Sequence, residues 1–519
     1  MRLVPAALTC WVVTAAGIWW PVGRVLGLCC VGLAAGSGAL ACYASRRPGR
    51  GGRLRIMSAG LAAVGVVGAG FGFAVALRAD AVRRHPITAA FGTAAPVTVT
   101  PTESAASLGN GRLMFRANLQ RVRDNAISGR VVVFARASDF YPQHGPQTEP
   151  LMVGQPVRFT ARISRPTRHD LTIAVLTASG PPSVGAPGAL QRAAHQVRRR
   201  FAAAVRDTLP AEQAAMLPAL VLGDTSAVSA QTGREFRAAG LTHLTAVSGA
   251  NVTIVCAAVL FSARLIGPRA AVVFAAVALV AFVVVVQPTA SVLRAAVMGA
   301  IALAGMLSSR RRQAIPALSA TVLILLAVAP HLAVDVGFAL SVLATAALVV
   351  IAPTWSRRLV RRGCPKPLAD GLAVAWAAHV VTAPLVAGIS GRVSLIAVGA
   401  NLGVAPVIAP ITVLGSAAAA LCVLWPAGAQ LLIRFTGPEL WWVLRVAQSA
   451  ARVPGATVPV PAGVAGVLVV AAAAASVVLL WRSRRFRTAV GPVLAVLGLC
   501  ALAWTIAERF DPYRGVVGP

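Results

Sequence analysis

Seven polar side chains stand within or beside strongly apolar runs: His243, Ser248, Asn251, Arg294, Asp335, His379 and Asn401. An ionised group at the centre of a bilayer costs roughly 2.5–3.5 kcal/mol on insertion scales, so such residues usually face a wet cavity or a partner. The chemistry on offer is the binding of charge. No Gly-rich loop of the G-x-x-x-x-G-K-[ST] kind is present to hold a nucleotide. The eight cysteines, at 10, 29, 30, 42, 256, 364, 422 and 500, show no metal-ligand spacing. We expect no catalytic residue, no metal site and no cofactor.

The elements that carry these residues are read from composition. Of 519 residues, 57% are hydrophobic and 12% charged. Runs of membrane-spanning length, which is about 20 residues, occur at 56–77, 244–263, 270–286 and 463–481 without a single charge. Residues 1–20 could pass for a signal peptide, but Trp19-Trp20-Pro21 replaces a small-residue cleavage site, so a retained helix is expected. Net charge is +33. Arginine clusters at 46–55, 264–269, 310–312, 357–366 and 482–487 divide the apolar runs, and placing all five on the cytoplasmic side orients the chain. The expected fold is a polytopic α-helical membrane protein of about 12–13 transmembrane helices with an extracytoplasmic β-rich, OB-like insert domain. Its divisions are 1–78 (N-terminal helices), 85–180 (β domain), 189–240 (amphipathic or interfacial helices), 241–510 (the main transmembrane domain) and 511–519 (a tail).

At about 1.5 Å per helical residue, this topology puts the seven polar side chains at the outer surface or in the outer half of the membrane. Ser248 and Asn251 are expected a few turns into a helix beginning near His243, and Arg294 about two turns into one beginning near Thr289. They would line an external vestibule, with Arg294 paired to Asp335. Blander roles stay open: Arg294 snorkelling to the interface, Asp335 capping its helix, His243 as an interfacial residue and His379 as a satisfied bundle histidine. Gly337, Ser341 and Ala344, like Gly68 and Gly72, suit helix packing. Between Asn401 and Pro410, prolines and glycines predict a broken, pore-lining segment, with a proline-kinked packing helix as the alternative.

In the β-rich insert the period becomes two: 113–119, 130–136, 157–163, 171–176 and 97–100 read as strands. Five short strands suit a small barrel such as an OB-fold, and a small sandwich would look alike. Arg112, Arg116, Arg130, Arg158, Arg162 and Arg168 make this insert basic on the face where membrane topology predicts no excess. Polyanion binding and a solvated basic surface near lipid headgroups both account for that. Aromatics for base stacking are few: Phe115, Phe134, Phe140, Tyr141 and Phe159. Residues 191–209 form a basic amphipathic helix, expected to lie in the membrane interface.

A set of motifs in fixed order carries a resemblance. Leu222-Gly223-Asp224 is followed by Gly240-Leu-Thr-His-Leu-Thr-Ala-Val-Ser-Gly249. Then come Ser291-Val-Leu-Arg-Ala295, Asp335-Val-Gly-Phe-Ala-Leu-Ser-Val-Leu-Ala344, Thr382-Ala-Pro384, Asn401-Leu402 with Pro406, and Val458-Pro-Val-Pro461. Over roughly 210–480 the chain resembles the ComEC competence family of DNA-uptake channels, and the β-rich insert resembles the OB-like domain that precedes the channel there. The resemblance implies import of single-stranded DNA across the bacterial cytoplasmic membrane during natural transformation. The implied partners are the DNA strand, the bilayer, a separate DNA receptor, a separate nuclease and a cytoplasmic motor ATPase; a homo-oligomer is left open. Asn251 stands where the family commonly has His. The C-terminal metallo-β-lactamase-like domain of many members, with its H-x-H-x-D-H motif, has no counterpart here, and the chain is read as a form without it. A secondary transporter or exporter of another anion, or a membrane-anchored DNA-binding module, would share many of these features.

Overall fold

The computed structural model describes residues 3–20, 22–45, 51–140, 151–287, 289–307 and 314–482. The arginines at 46, 47, 50, 310–312 and 484–487, Tyr141, the expected last crossing near 507 and the 511–519 tail lie outside the described residues.

Three helices open the chain: α1 (Val4–Trp19), α2 (Gly23–Ser45) and α3 (Gly51–Arg83). Glycine lets α2 and α3 approach closely: a Cβ at Gly72 would meet Gly27 Cα at 2.8 Å, and one at Gly68 would meet Cys30 Sγ at 2.7 Å. This is the small-residue packing used between membrane helices, where backbones gain dispersion contacts in place of a hydrophobic driving force.

The insert follows as β1 (Ala94–Pro101), β2 (Ala106–Gly109), β3 (Arg112–Val122), β4 (Asn125–Arg136), the single-turn α4 (Ala137–Phe140), β5 (Val157–Ser164) and β6 (Ala174–Val184). Five of the strands close into a barrel in the order β1-β3-β4-β6-β5-β1, and β2 pairs with the first residues of β3, beyond the stretch that meets β1. Only the β4–β6 pairing is parallel. Strict alternation drives closure: in β5, Val157, Phe159, Ala161 and Ile163 point inward while Arg158, Thr160 and Arg162 point out. Phe115, Phe140 and Phe159 meet inside, with ring centroids 6.2 and 5.6 Å apart for the two contacting pairs.

The remainder is helical: α5 (Ala189–Thr208), α6 (Ala211–Leu222), α7 (Ala230–Ala238), α8 (Thr242–Thr245), α9 (Gly249–Ala263), α10 (Pro268–Val286), α11 (Ala290–Leu307), α12 (Ala314–Val328), α13 (Val336–Val350), α14 (Ala352–Val360), α15 (Lys366–Ser390), α16 (Ala397–Leu421), α17 (Pro426–Phe435), α18 (Gly437–Arg452) and α19 (Val464–Arg482). The antiparallel pair β7 (Arg392–Ser394) and β8 (Thr457–Pro459) joins the start of α16 to the end of α18. Among the described residues, seven helices are long and apolar enough to cross a membrane, and five more apolar helices are shorter. The chain is a multi-pass helical membrane protein, and the full count of about 12–13 crossings is not met by length alone.

Two local expectations are corrected. The apolar face of α5 does not lie on lipid: Phe201 and Val205 are fully buried in a core shared with α6, α10, α16 and α17. Residues 401–410 are not broken either, because α16 runs unbroken through Pro406 and Pro410.

Candidate functional site: a buried arginine and a basic barrel

α9, α11 and α13 bring three separated motifs together. Arg294, 7% exposed, projects from the first half of α11. Its Nε donates to Ser341 Oγ of α13 at 2.6 Å, and its Nη1 approaches Met298 Sδ at 3.5 Å. Nη2 lies over Gly249, where a Cβ would stand only 2.6 Å away. Gly249 opens α9, so the absence of a side chain there is what admits the guanidinium. Ser248 and Asn251 join the same corner. Ser248 Oγ donates to Asn251 Oδ1 at 3.2 Å, and Asn251 Nδ2 donates to Leu220 O of α6 at 2.9 Å. Both residues sit at the start of α9, not several turns inside it, because the chain unwinds after α8 and restarts at Gly249.

Arg294 forms no ion pair among the described residues. The expected partner, Asp335, instead caps α13, accepting from Phe338 N at 2.7 Å. A carboxylate there meets the unpaired amides and the positive end of the helix dipole. The bundle therefore holds a buried cation satisfied by a hydroxyl and a thioether, with no neutralising carboxylate among the described residues. Such a group is costly to bury.

The other expected residues lie apart. His243 is exposed on α8, and His379 is half-buried midway along α15. Asn401 Nδ2 donates back to Ala397 O at 2.8 Å in the first turn of α16. Its neighbour Leu402 packs against Gly371, early in α15. The far end of α16 reaches α5, where Arg200 Nη1 donates to Val423 O at 3.2 Å.

The barrel arginines divide into two groups. Arg158, Arg162 and Arg168 are exposed on β5 and the loop after it, and Arg112 is exposed opposite Arg136. Arg116 and Arg130 are half-buried on the side of the barrel that meets the helices. Ser104 Oγ bonds Gln287 Oε1 at 2.8 Å, tying the barrel to the end of α10. Arg116 pairs with Glu103 at 3.1 Å; burial works against its charge, but Glu103, Asp335 and Asp170 outweigh it and raise its pKa. Burial and the like charge of Arg116 pull Arg130 down. His331, in the turn between α12 and α13, is pushed down to about 3 by burial and then by Arg130, Arg116 and Arg78. Apart from half-buried Phe134 and Phe91, the described barrel aromatics are in the core, so its outer face offers charge and little stacking surface.

Sequence reasoning gave Arg198 only a place on the basic face of the 191–209 helix and gave Ser341 only a packing role. Arg198 Nη1 donates to Leu222 O at 3.2 Å and Val285 O at 3.1 Å, closing the C-terminal ends of α6 and α10, while Nη2 lies 3.7 Å from Asp224. Burial lowers its pKa and Asp224 counters that. Gly223, at φ 71°, makes the left-handed turn that sets Asp224 in place. The Leu222-Gly223-Asp224 motif is thus a helix stop read by an arginine. The signal was available: α5 places Arg198 on the flank of a helix whose other face must be buried.

Residues 220–485 match a protein-family model described as Competence protein. No curated protein and no solved structure matches the chain.

Proposed function

The chain belongs to the Competence protein family, and from that premise we propose that it conducts single-stranded DNA inward across the cytoplasmic membrane during natural transformation. It works as a conduit, with no chemical step of its own. Force comes from a cytoplasmic motor ATPase, the strand from a DNA receptor, and degradation of the other strand from a separate nuclease.

The observation that carries this reading is Arg294, a buried cation without a carboxylate partner among the described residues, at the meeting point of α9, α11 and α13. Each nucleotide brings one phosphate, and a lone guanidinium offers a passing phosphate charge-assisted hydrogen bonds. The barrel supports the same reading. Leaving out the edge strand, its connectivity is 1-2-3-5-4-1 with a parallel 3–5 pair. That order supports reading the barrel as OB-like, a fold that binds oligonucleotides across its face and loops. Here the outward arginines would track phosphates by charge.

Transformation of a deletion strain tests the proposal. Wild type restores it, and Arg294→Ala, at equal membrane abundance, does not. Restoration by Arg294→Ala would overturn it. An exporter of another anion could use the same arginine; salt-sensitive binding of single-stranded DNA to the purified full chain separates the two.

A further inference from the structure

A groove of about 420 Å³ opens between the start of α6 and one face of α18, far along the chain from Arg294. Trp441, Leu444, Arg445 and Gln448 line it from α18 at i, i+3, i+4 and i+7, the spacing of a single helical face. Glu212 and Gln213 line it from α6. Glu212 and Arg445 do not pair with each other, and among the described residues neither forms an ion pair elsewhere. The groove therefore has an acidic pole and a basic pole, both open. The start of α18 meets the same end of α6, with Gly437 beside Gln213.

The surroundings say what such a groove would meet. α17 and α18 are not among the helices long and apolar enough to cross, yet Trp425, Phe435, Trp441 and Trp442 are 61%, 60%, 49% and 42% exposed along them. Exposed indoles on amphipathic helices of a membrane protein belong at the headgroup level of the bilayer. Arg445 lies 5.6 Å from the Trp441 ring centroid, so the basic pole and an aromatic face are adjacent.

We propose that this groove binds the headgroup of a zwitterionic aminophospholipid, phosphatidylethanolamine. Its phosphate accepts hydrogen bonds from Arg445 and Gln448. Its primary ammonium donates to Glu212 and rests against the Trp441 indole. The acyl chains run along the exposed aromatic side of α17 and α18. The site is independent of DNA and would seat α18 in one leaflet at a fixed depth.

Native mass spectrometry of the detergent-purified full chain, offered equal phosphatidylethanolamine, phosphatidylcholine and phosphatidylglycerol, tests this. The ethanolamine lipid should be retained preferentially. Glu212→Gln and Arg445→Gln should each weaken its retention about tenfold, the size of one lost charge-assisted contact, while Arg452→Gln on the same helix leaves it unchanged. Equal retention of the three lipids by wild type, or preference for phosphatidylglycerol, overturns the proposal whatever the variants do. So does an equal loss in Arg452→Gln.

Discussion

Arg294 of α11 and Ser341 of α13 face each other across the bundle, with Nε donating to Oγ at 2.6 Å. A serine hydroxyl orients a guanidinium without neutralising it. The charge therefore stays available, and stability and function should respond to its removal in opposite senses. Replacing an unpaired buried charge by an apolar side chain of similar length removes a desolvation cost. Arg294→Met should melt at the wild-type temperature or above it. DNA uptake should nonetheless fall by about a hundredfold, the equivalent of ~3 kcal/mol of lost charge-assisted contact. Thermal melting of the purified chain beside transformation counts checks both halves.

Gly249 offers a second handle on the same group. A methyl group there would crowd Arg294 Nη2 at 2.6 Å, so Gly249→Ala should displace the guanidinium and lower uptake. In an Arg294→Met background nothing remains to be displaced, and Gly249→Ala should then add little. A double-mutant cycle on uptake measures that coupling, and additive losses would mean that Gly249 acts elsewhere.

The path from sequence to site shows where pattern suffices. Outward arginines alternating with inward apolar residues from Val157 to Ile163 made β5 legible, since a half-buried strand has a period of two. The start of β6 was misplaced from 171 to Ala174. Leu171 takes φ 63° and Asp170 Oδ1 accepts from Thr172 N, a side-chain turn that delays the strand. Continuity of α16 was hidden for another reason. Each proline removes one backbone donor, yet α16 continues through both and packs against α18, where Trp442 Nε1 donates to Gly403 O at 2.8 Å, a tertiary contact 39 residues distant that no local pattern reveals. Arg294, Ser248 and Asn251 were identifiable as polar groups among apolar neighbours. That Arg294 takes Ser341 and leaves Asp335 to cap α13 depends on helix placement, which period alone does not fix.

Arg198 should prove structural. Its removal leaves Leu222 O, Val285 O and Asp224 without their cation at the junction of α5, α6 and α10. Arg198→Met should cost about 3 kcal/mol, as when one partner of a largely buried pair is lost. Asp224→Asn, which keeps the Arg198 bonds to both carbonyls, should cost less than ~1 kcal/mol. Denaturant or thermal unfolding of the two variants side by side gives the comparison.

On the barrel, exposed and docked arginines should behave differently. Arg158 and Arg162 stand free on β5, so replacing each by Gln should leave stability unchanged. Each change should weaken single-stranded DNA binding by the full chain and reduce the slope of log K against log salt by about 0.7. Phe134→Ala should have a smaller effect on affinity, because binding by charge does not need a stacking surface. A salt titration by fluorescence anisotropy distinguishes these outcomes, and a dominant loss in Phe134→Ala would point to base stacking instead.

Acid should loosen the seat of the barrel through His331. Its pKa is held at about 3 by burial and by Arg130, Arg116 and Arg78, with Asp170 opposing them. In the unfolded chain the imidazole returns to its ordinary value near 6.5. Between those two values the unfolded form binds the extra proton, so stability contributed by neutral His331 is complete above about pH 6.5 and declines as pH falls toward 3. His331→Gln, which cannot be protonated, should flatten that part of the stability profile and leave the neutral-pH value nearly unchanged. Amide exchange at the 330–334 turn and across β3–β4, followed from pH 7 to pH 4 with exchange times corrected for pH, reads the effect where the barrel meets the helices. Equal acid sensitivity in His331→Gln would show that His331 is not the group responsible.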